Sequence, residues 1–180
     1  EDSVSAPSLA LDPITLGYTL NYAAVTRRRL GDLTSAARLI ERALVHAIAG
    51  GDLFMLQAVL FNFGLIHADL ARRVPQSEHG PQAIRALEAV SRITREHRIG
   101  NDSAQNELAI AAILIDQGDL EKAEDYLEEA RRIIARSENA YDQAVLAHRR
   151  LQLRCARDDV TLTPKGILDL VEQCAELYTA

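Results

Sequence analysis

The chain has 180 residues, of which 48% are hydrophobic and 26% are charged, so it is long enough for one domain with a substantial buried core. Only 4% of the residues are aromatic and tryptophan is absent, which means that Ala, Leu, Ile and Val must fill that core. The formal net charge is −6 at pH 7. A mildly acidic chain gains nothing from counterion release on phosphates, and we therefore expect neither nucleic acid nor an anionic membrane surface as a partner.

Short breaks divide the chain into eight predicted helices. Asp12 and Pro13 start the first of them, because Asp is a favourable N-cap and Pro fits the first helical position. The segments between the breaks carry apolar residues at steps of three and four, the pattern of a half-buried helix. The predicted helices are 14–29, 33–49, 53–73, one that begins at Pro81, 104–117, 120–137, 139–157 and 164–180. Residues 1–12 are predicted to be a linker or leading segment, and 13–180 a single domain.

Two segments of the chain repeat each other. GDLTSAARLIERAL at 31–44 and GDLEKAEDYLEEAR at 118–131 share a Gly-Asp-Leu start, two alanines and one larger apolar residue at the same spacing. The Gly-Asp pair provides a tight turn and a helix cap, and the alanines allow two helices to approach closely. The matched positions are Gly31, Asp32, Leu33, Ala36, Ile40 and Ala43 in one segment, and Gly118, Asp119, Leu120, Ala123, Leu127 and Ala130 in the other.

These segments resemble tetratricopeptide repeats, whose consensus has this turn followed by Ala, a large apolar residue and Ala. The resemblance implies an all-α fold, namely a right-handed superhelical solenoid of antiparallel helix hairpins. About four hairpins are expected, at approximately 14–50, 51–99, 101–137 and 138–180. The second unit departs from the consensus by an insertion at 74–80, and the fourth has Asp158-Asp159 in place of Gly-Asp.

The units are spaced by about 40 residues rather than the common ~34. Such longer repeats are similar to those of bacterial multidomain signalling and transcription regulators. The chain begins at Glu1, without Met and without a signal-peptide pattern. We therefore expect a cytoplasmic piece of a longer regulatory protein. Cys155 and Cys174 lie on the last two predicted helices, where either a disulfide or two buried thiols in a reducing cytoplasm would fit.

The resemblance also implies a binding face, because the first helix of each hairpin lines the concave side of such a stack. Asparagine and glutamine there suit an extended peptide, since an amide both donates and accepts hydrogen bonds. Phe61, Leu65 and Leu108 are either an apolar strip for a partner or part of the core. Asp69 and Asp116 share the same register. The residues predicted for the concave face are Asn21, Arg28, Phe61, Asn62, Leu65, Gln105, Leu108 and Arg149.

A receptor for chaperone C-terminal tails is not expected. The carboxylate clamp of that tetratricopeptide subgroup needs Lys and Asn in its first repeat and Lys and Arg in its third. Only Asn62 matches the clamp in this sequence.

No pattern in the sequence predicts catalysis or a cofactor. The five histidines lack metal-ligand spacing, and phosphate loops, dinucleotide fingerprints and nucleophile elbows are absent. The acidic run from Glu121 to Glu129 lies beside Arg131 and Arg132, which favours a solvated helix face. We therefore expect a protein that is not an enzyme and that needs neither metal nor cofactor.

Three functions are consistent with these residues. The first is a protein- or peptide-binding scaffold module within a larger bacterial signalling or regulatory protein. The second is a small-peptide receptor or sensor domain. The third is a homo-oligomerisation scaffold, with a homodimer formed through an apolar patch at 53–56 (LFML).

Overall fold

The computed structural model describes residues 12–99, 104–137 and 139–158, together with separate positions between 163 and 175. The described residues form helices and short connections and contain no strand, so the all-α prediction is confirmed. The helix boundaries lie within about two residues of the predicted helix boundaries. The helices are α1 (Pro13–Arg29), α2 (Leu33–Gly50), α3 (Leu53–Arg73), α4 (His79–His97), α5 (Gln105–Gln117), α6 (Leu120–Ser137) and α7 (Ala140–Ala156).

Three predictions fall wholly or partly outside the described residues. The leading segment lies there except for Asp12. The predicted helix 164–180 is described only at separate positions, and those at 165–166, 168–169, 171–172 and 175 have helical backbone. Cys155 is exposed, so the alternative of two buried thiols is wrong for this residue. Cys174 is not among the described residues, and whether the two cysteines pair is therefore untested.

Aspartate side chains begin the first three helices, as the sequence predicts for the breaks that contain Asp. Asp12 Oδ1 accepts hydrogen bonds from the backbone N–H groups of the first turn of α1, and Asp32 and Asp52 do the same for α2 and α3. Gly31 and Gly118 have φ angles of 78° and 80°, a left-handed conformation that glycine adopts without strain. Each break therefore stops one helix and starts the next within two or three residues.

The start of α5 depends on a distant residue. Asp142 of α7 is fully buried, and its Oδ2 accepts a hydrogen bond from the backbone N–H of Ala104 at 3.1 Å. At the start of α5, a carboxylate from another helix thus replaces the local Asp cap that α1, α2 and α3 have.

Every helix packs against the next one in the chain, and the odd-numbered helices also contact each other in the order α1, α3, α5, α7. Among the described helices, α2, α4 and α6 have no Cα atoms within 8 Å of one another. The odd-numbered helices therefore lie side by side in one row, and the even-numbered helices pack against that row.

The core divides into two clusters that meet at α3. The N-terminal core comprises buried residues of α1, α2 and α3, and the C-terminal core joins α3 to α4, α5, α6 and α7. The alanines matched between the repeated segments are fully buried at these contacts, as predicted from their small size. They are Ala36, Ala43, Ala123 and Ala130.

Helix α3 has a central position that accounts for its apolar composition. It contacts α1, α2, α4 and α5. Of the described helices it is the one whose length and hydropathy would also suffice to cross a bilayer, with a mean hydropathy of 1.5 over the relevant window. A core helix of a soluble protein passes the same test, so this property is weak evidence for a membrane span.

Gly64 marks the closest approach of α3 and α4. A Cβ atom at this position would lie 2.6 Å from Leu87 Cγ and 3.3 Å from the carbonyl oxygen of Ala83. Both distances are shorter than ordinary van der Waals contacts, so the two helices pack together because residue 64 has no side chain.

We expect Gly64→Ala to lower the free energy of unfolding by about 1–3 kcal/mol through overpacking, although Ala favours a helix by about 1 kcal/mol. Urea unfolding followed by far-UV circular dichroism measures the change. In a Leu87→Ala background the added methyl group has space, and the same substitution should become neutral or stabilising. An equal penalty in both backgrounds would show that the Gly64–Leu87 contact does not limit the packing of α3 on α4.

Candidate functional site

The row of odd-numbered helices carries polar side chains that bridge one helix to the next. We call this surface the odd-helix face and define it by Arg28 of α1, Asn62, Asp69 and Arg72 of α3, and Asp116 of α5. Four of these five residues occupy positions that the sequence register assigns to the concave side, and Arg72 is the exception. The odd-helix face thus has residues from α1, α3 and α5.

Two predicted asparagines bind each other across α1 and α3. Asn62 Nδ2 donates to Asn21 Oδ1 at 3.0 Å, and Asn21 is only 5% exposed. Asn62 is half-buried. The amide of Asn21 is thus committed to a contact within the fold, and Asn62 is the member of the pair that a partner can reach.

A ladder of alternating charges continues the face along α1, α3 and α5. Arg28 Nε donates to Asp69 Oδ2 at 2.6 Å, and Arg72 Nη1 donates to Asp69 Oδ1 at 2.8 Å. Arg72 Nε then donates to Asp116 Oδ2 at 2.7 Å. Two cations and two anions cancel, so the ladder is electrically neutral, and it joins three helices. Its side chains are between 25% and 45% exposed, which places it at the surface.

The apolar residues predicted for the face have different environments. Leu108 is 2% exposed and belongs to the C-terminal core, so it presents no side chain to a partner, and the core alternative is the correct one for this residue. Phe61 is half-buried and packs against that core. It also lines a cavity of about 230 Å³ between α3, α4 and α5, together with Gln105. Leu65 is half-buried on α3.

Arg149 lies on α7, at the far end of the row. It is half-buried, and its Nη1 donates to Gln152 Oε1 of the same helix at 2.7 Å. Gln105 is exposed at the first position of α5.

A cavity of about 750 Å³ adjoins the charged ladder. Arg72 and Asp116 form part of its wall, and the remaining wall comes from α3, α5, the start of α4 and the α3–α4 connection. Pro75, Gln76 and Ser77 of the connection belong to the insertion at 74–80, so the sequence contained no repeat pattern from which this wall could be predicted. The cavity lining is Ala68, Ala71, Arg72, Pro75, Gln76, Ser77, Pro81, Ile113, Asp116 and Gln117.

An acidic cavity of about 350 Å³ lies between α4, α5 and α6. Glu107 is 8% exposed and accepts a hydrogen bond from Ser91 Oγ at 2.9 Å, and burial raises the pKa of its carboxyl group. The Tyr126 hydroxyl donates to Glu88 Oε1 at 2.8 Å, and burial followed by this hydrogen bond raises the pKa of Tyr126 to about 12. Within the described part of the chain no group of three or more His, Cys, Asp or Glu side chains is arranged to hold a metal ion.

The acidic run on α6 is mostly a solvated face, as its sequence indicates. Glu128 binds Arg131 at 2.7 Å and Glu129 binds Arg132 at 3.2 Å, all with exposed side chains. The hydrogen bond from Arg131 lowers the pKa of Glu128.

No protein-family model matches the chain, and no curated protein matches it. The likeness to tetratricopeptide repeats therefore stays a prediction from the residues of the two repeated segments.

We expect Asp69→Asn to lower the free energy of unfolding by about 1–2 kcal/mol, because it leaves Arg28 and Arg72 without the carboxylate that they share. Chemical unfolding at low and high salt measures the effect, which should shrink as salt screens the charges. Glu129→Gln, which removes an exposed ion pair within one helix, is the control and should cost less than about 0.5 kcal/mol. Equal losses for the two variants would mean that the ladder does not hold the odd-numbered helices together.

Proposed function

We propose that the chain is a protein- or peptide-binding scaffold module that acts within a larger bacterial signalling or regulatory protein. In this proposal the hairpins continue as a right-handed superhelical solenoid of the tetratricopeptide type, with about four units, and the partner binds the concave side. The observation that carries the proposal is the row of odd-numbered helices, in which side-chain bonds join α1 to α3 and α3 to α5 across one surface.

The odd-helix face suits an extended peptide for a physical reason. The charges of the ladder pair with one another, so this surface does not strongly attract a charged partner. Asn62 and Gln105 have amides at or near the surface, which can pair with the backbone N–H and C=O groups of a partner. Leu65 and Phe61 add half-buried apolar area beside them.

The cavity of about 750 Å³ gives the same face a depression for a partner side chain. Its floor has Ala68, Ala71 and Ile113, and its rim has Arg72 and Asp116. A pocket with an apolar floor and a few polar groups at its edge is typical of a recognition site. Leu108 has no part in this site because it is buried.

The proposal assigns no reaction, metal or cofactor to the chain. It places the module in the cytoplasm and expects a protein or peptide partner, neither nucleic acid nor membrane. A small-peptide receptor would use the same face and differ only in the size of its ligand.

Self-association is a second candidate, favoured by Phe54. This side chain is 62% exposed at the start of α3, in the segment predicted to mediate a homodimer, while its neighbour Met55 is fully buried. Light scattering of the native chain and of Phe54→Ser at two concentrations tests this candidate, since a dimer through Phe54 would dissociate in the variant.

Affinity capture from a lysate of the host organism tests the proposed function. The baits are the native chain and two variants in the row of odd-numbered helices, Leu65→Arg on α3 and Gln105→Arg on α5. Each variant places a long cation where the partner is proposed to lie, and we expect at least a tenfold loss of the proteins captured by the native chain. Quantitative mass spectrometry measures the loss, and circular dichroism verifies that the baits are folded.

Val45→Arg is the matched control, because Val45 is exposed on an even-numbered helix. It should retain every partner. If both variants of the odd-helix row keep all partners, or if Val45→Arg loses them, the binding face has been assigned to the wrong side of the chain.

A further inference from the structure

Helix α4 begins without the side-chain cap that starts α1, α2 and α3. Its N-cap residue is Glu78, which makes no capping hydrogen bond. The preceding connection, 74–78, is exposed at 74–76 and 78 and is longer than the breaks at Gly31 and Gly118. The first N–H groups of a helix need an acceptor or water. Ser77 Oγ accepts a long hydrogen bond from the backbone N–H of His79 at 3.4 Å, and a second contact holds the first turn of α4 against α3.

Two histidines make that contact. His79 is the first residue of α4, and its Nδ1 lies 3.1 Å from Nδ1 of His67 on α3. His67 is 3% exposed and stacks on Phe63 with a ring-centroid distance of 4.0 Å. A hydrogen bond between two Nδ1 atoms requires that one ring donates and the other, which must be neutral at that atom, accepts.

The surroundings of His67 offer little to balance a positive charge. Phe63 of α3 is uncharged, and α4 contributes His79 and the neutral amide of Gln82. The connection contributes Glu78, which is exposed beside His79 in the chain, and α5 presents the Gln117 amide against Gly80. Burial, and then the charge of His79, lowers the pKa of His67 from 6.5 to about 4, while Gln82 opposes the shift.

We propose that the contact between His67 and His79 is a pH-sensitive latch, which holds the first turn of α4 against α3 and opens as the buried His67 ring takes up a proton. A protonated His67 has donors only and carries a charge among uncharged side chains, so the closed contact becomes unfavourable. The positive end of the α4 dipole adds to that cost. The α3–α4 connection then separates from the row of helices.

Linkage gives the direction and range of the effect. While the latch is closed, His67 stays neutral down to about pH 4, whereas in an opened segment it would titrate near 6.5. Opening therefore takes up a proton between these values and becomes easier as the pH falls, by up to about tenfold per pH unit. Above pH 6.5 the latch has its full strength.

The latch has a consequence for the cavity of about 750 Å³, since Pro75, Gln76 and Ser77 of the connection form part of its wall. Movement of the first turn of α4 changes the shape of that wall. The inference is independent of the proposed function, because it concerns the opening of a segment whether or not a partner binds.

Amide hydrogen exchange of the whole chain at pH 7 and pH 5 tests the latch, with rates corrected for the intrinsic effect of pH. We expect the protection of residues 78–83, relative to that of α6, to fall by about 10- to 30-fold at pH 5. His67→Phe keeps a ring beside Phe63 but cannot titrate, and His79→Gln removes the other partner. His67→Phe should lose the pH dependence of the exchange at 78–83, whereas His79→Gln should keep part of it, because His67 remains buried.

His148→Gln is the control, since it removes a histidine on α7, and it should respond to pH as the native chain does. Unchanged relative protection at pH 5, or the full loss retained in His67→Phe, would overturn the proposal. If neither variant folds, ring ¹⁵N shifts of the native chain decide it. A His67 that titrates near 6.5 in the folded chain contradicts the latch, and one that stays neutral to about pH 4 supports it.

Discussion

The helices of this protein approach one another most closely at small residues, and the packing of both cores requires these close contacts. Ala36, Ala43, Ala123 and Ala130 are fully buried, and Gly64 allows Leu87 to approach the backbone of α3. Because the side chains at these points are short, the helices approach closely enough for Ile, Leu and Met to fill the remaining space. One pair of helices cannot bury its apolar stripe alone, so each pair covers its neighbour.

The same close packing explains why polar groups can bridge the odd-numbered helices. Asn21 and Asn62 bind each other, and the ladder from Arg28 to Asp116 crosses three helices. A buried or half-buried polar group without a partner is unfavourable, so these residues satisfy one another before any ligand arrives. In the proposed function, recognition on this face relies on shape and on apolar area rather than on unpaired charge.

The helices were predictable from local signals, and the contacts between distant residues were not. Gly-Asp breaks and the period of three and four residues predict the ends of α1, α2, α5 and α6 closely, because caps and turns involve neighbours in the chain. Burial of Leu108 depends on a rotation about the helix axis that a register shift of one residue changes by ~100°. The role of Asp142 at Ala104, 38 residues away, has no local signature. The same holds for His67 and His79, which are joined across an insertion.

Helix α3 is the shared wall of two cores, since Ile66 belongs to the N-terminal one and Ala68 to the C-terminal one. Among the described helices, a destabilising change in one half therefore affects the other through α3 alone. The two halves can unfold at different denaturant concentrations. A long peptide that bound α1 and α5 together would couple the unfolding of the two halves. Its binding would then be detectable as sharper, more cooperative unfolding, even where it made few strong contacts.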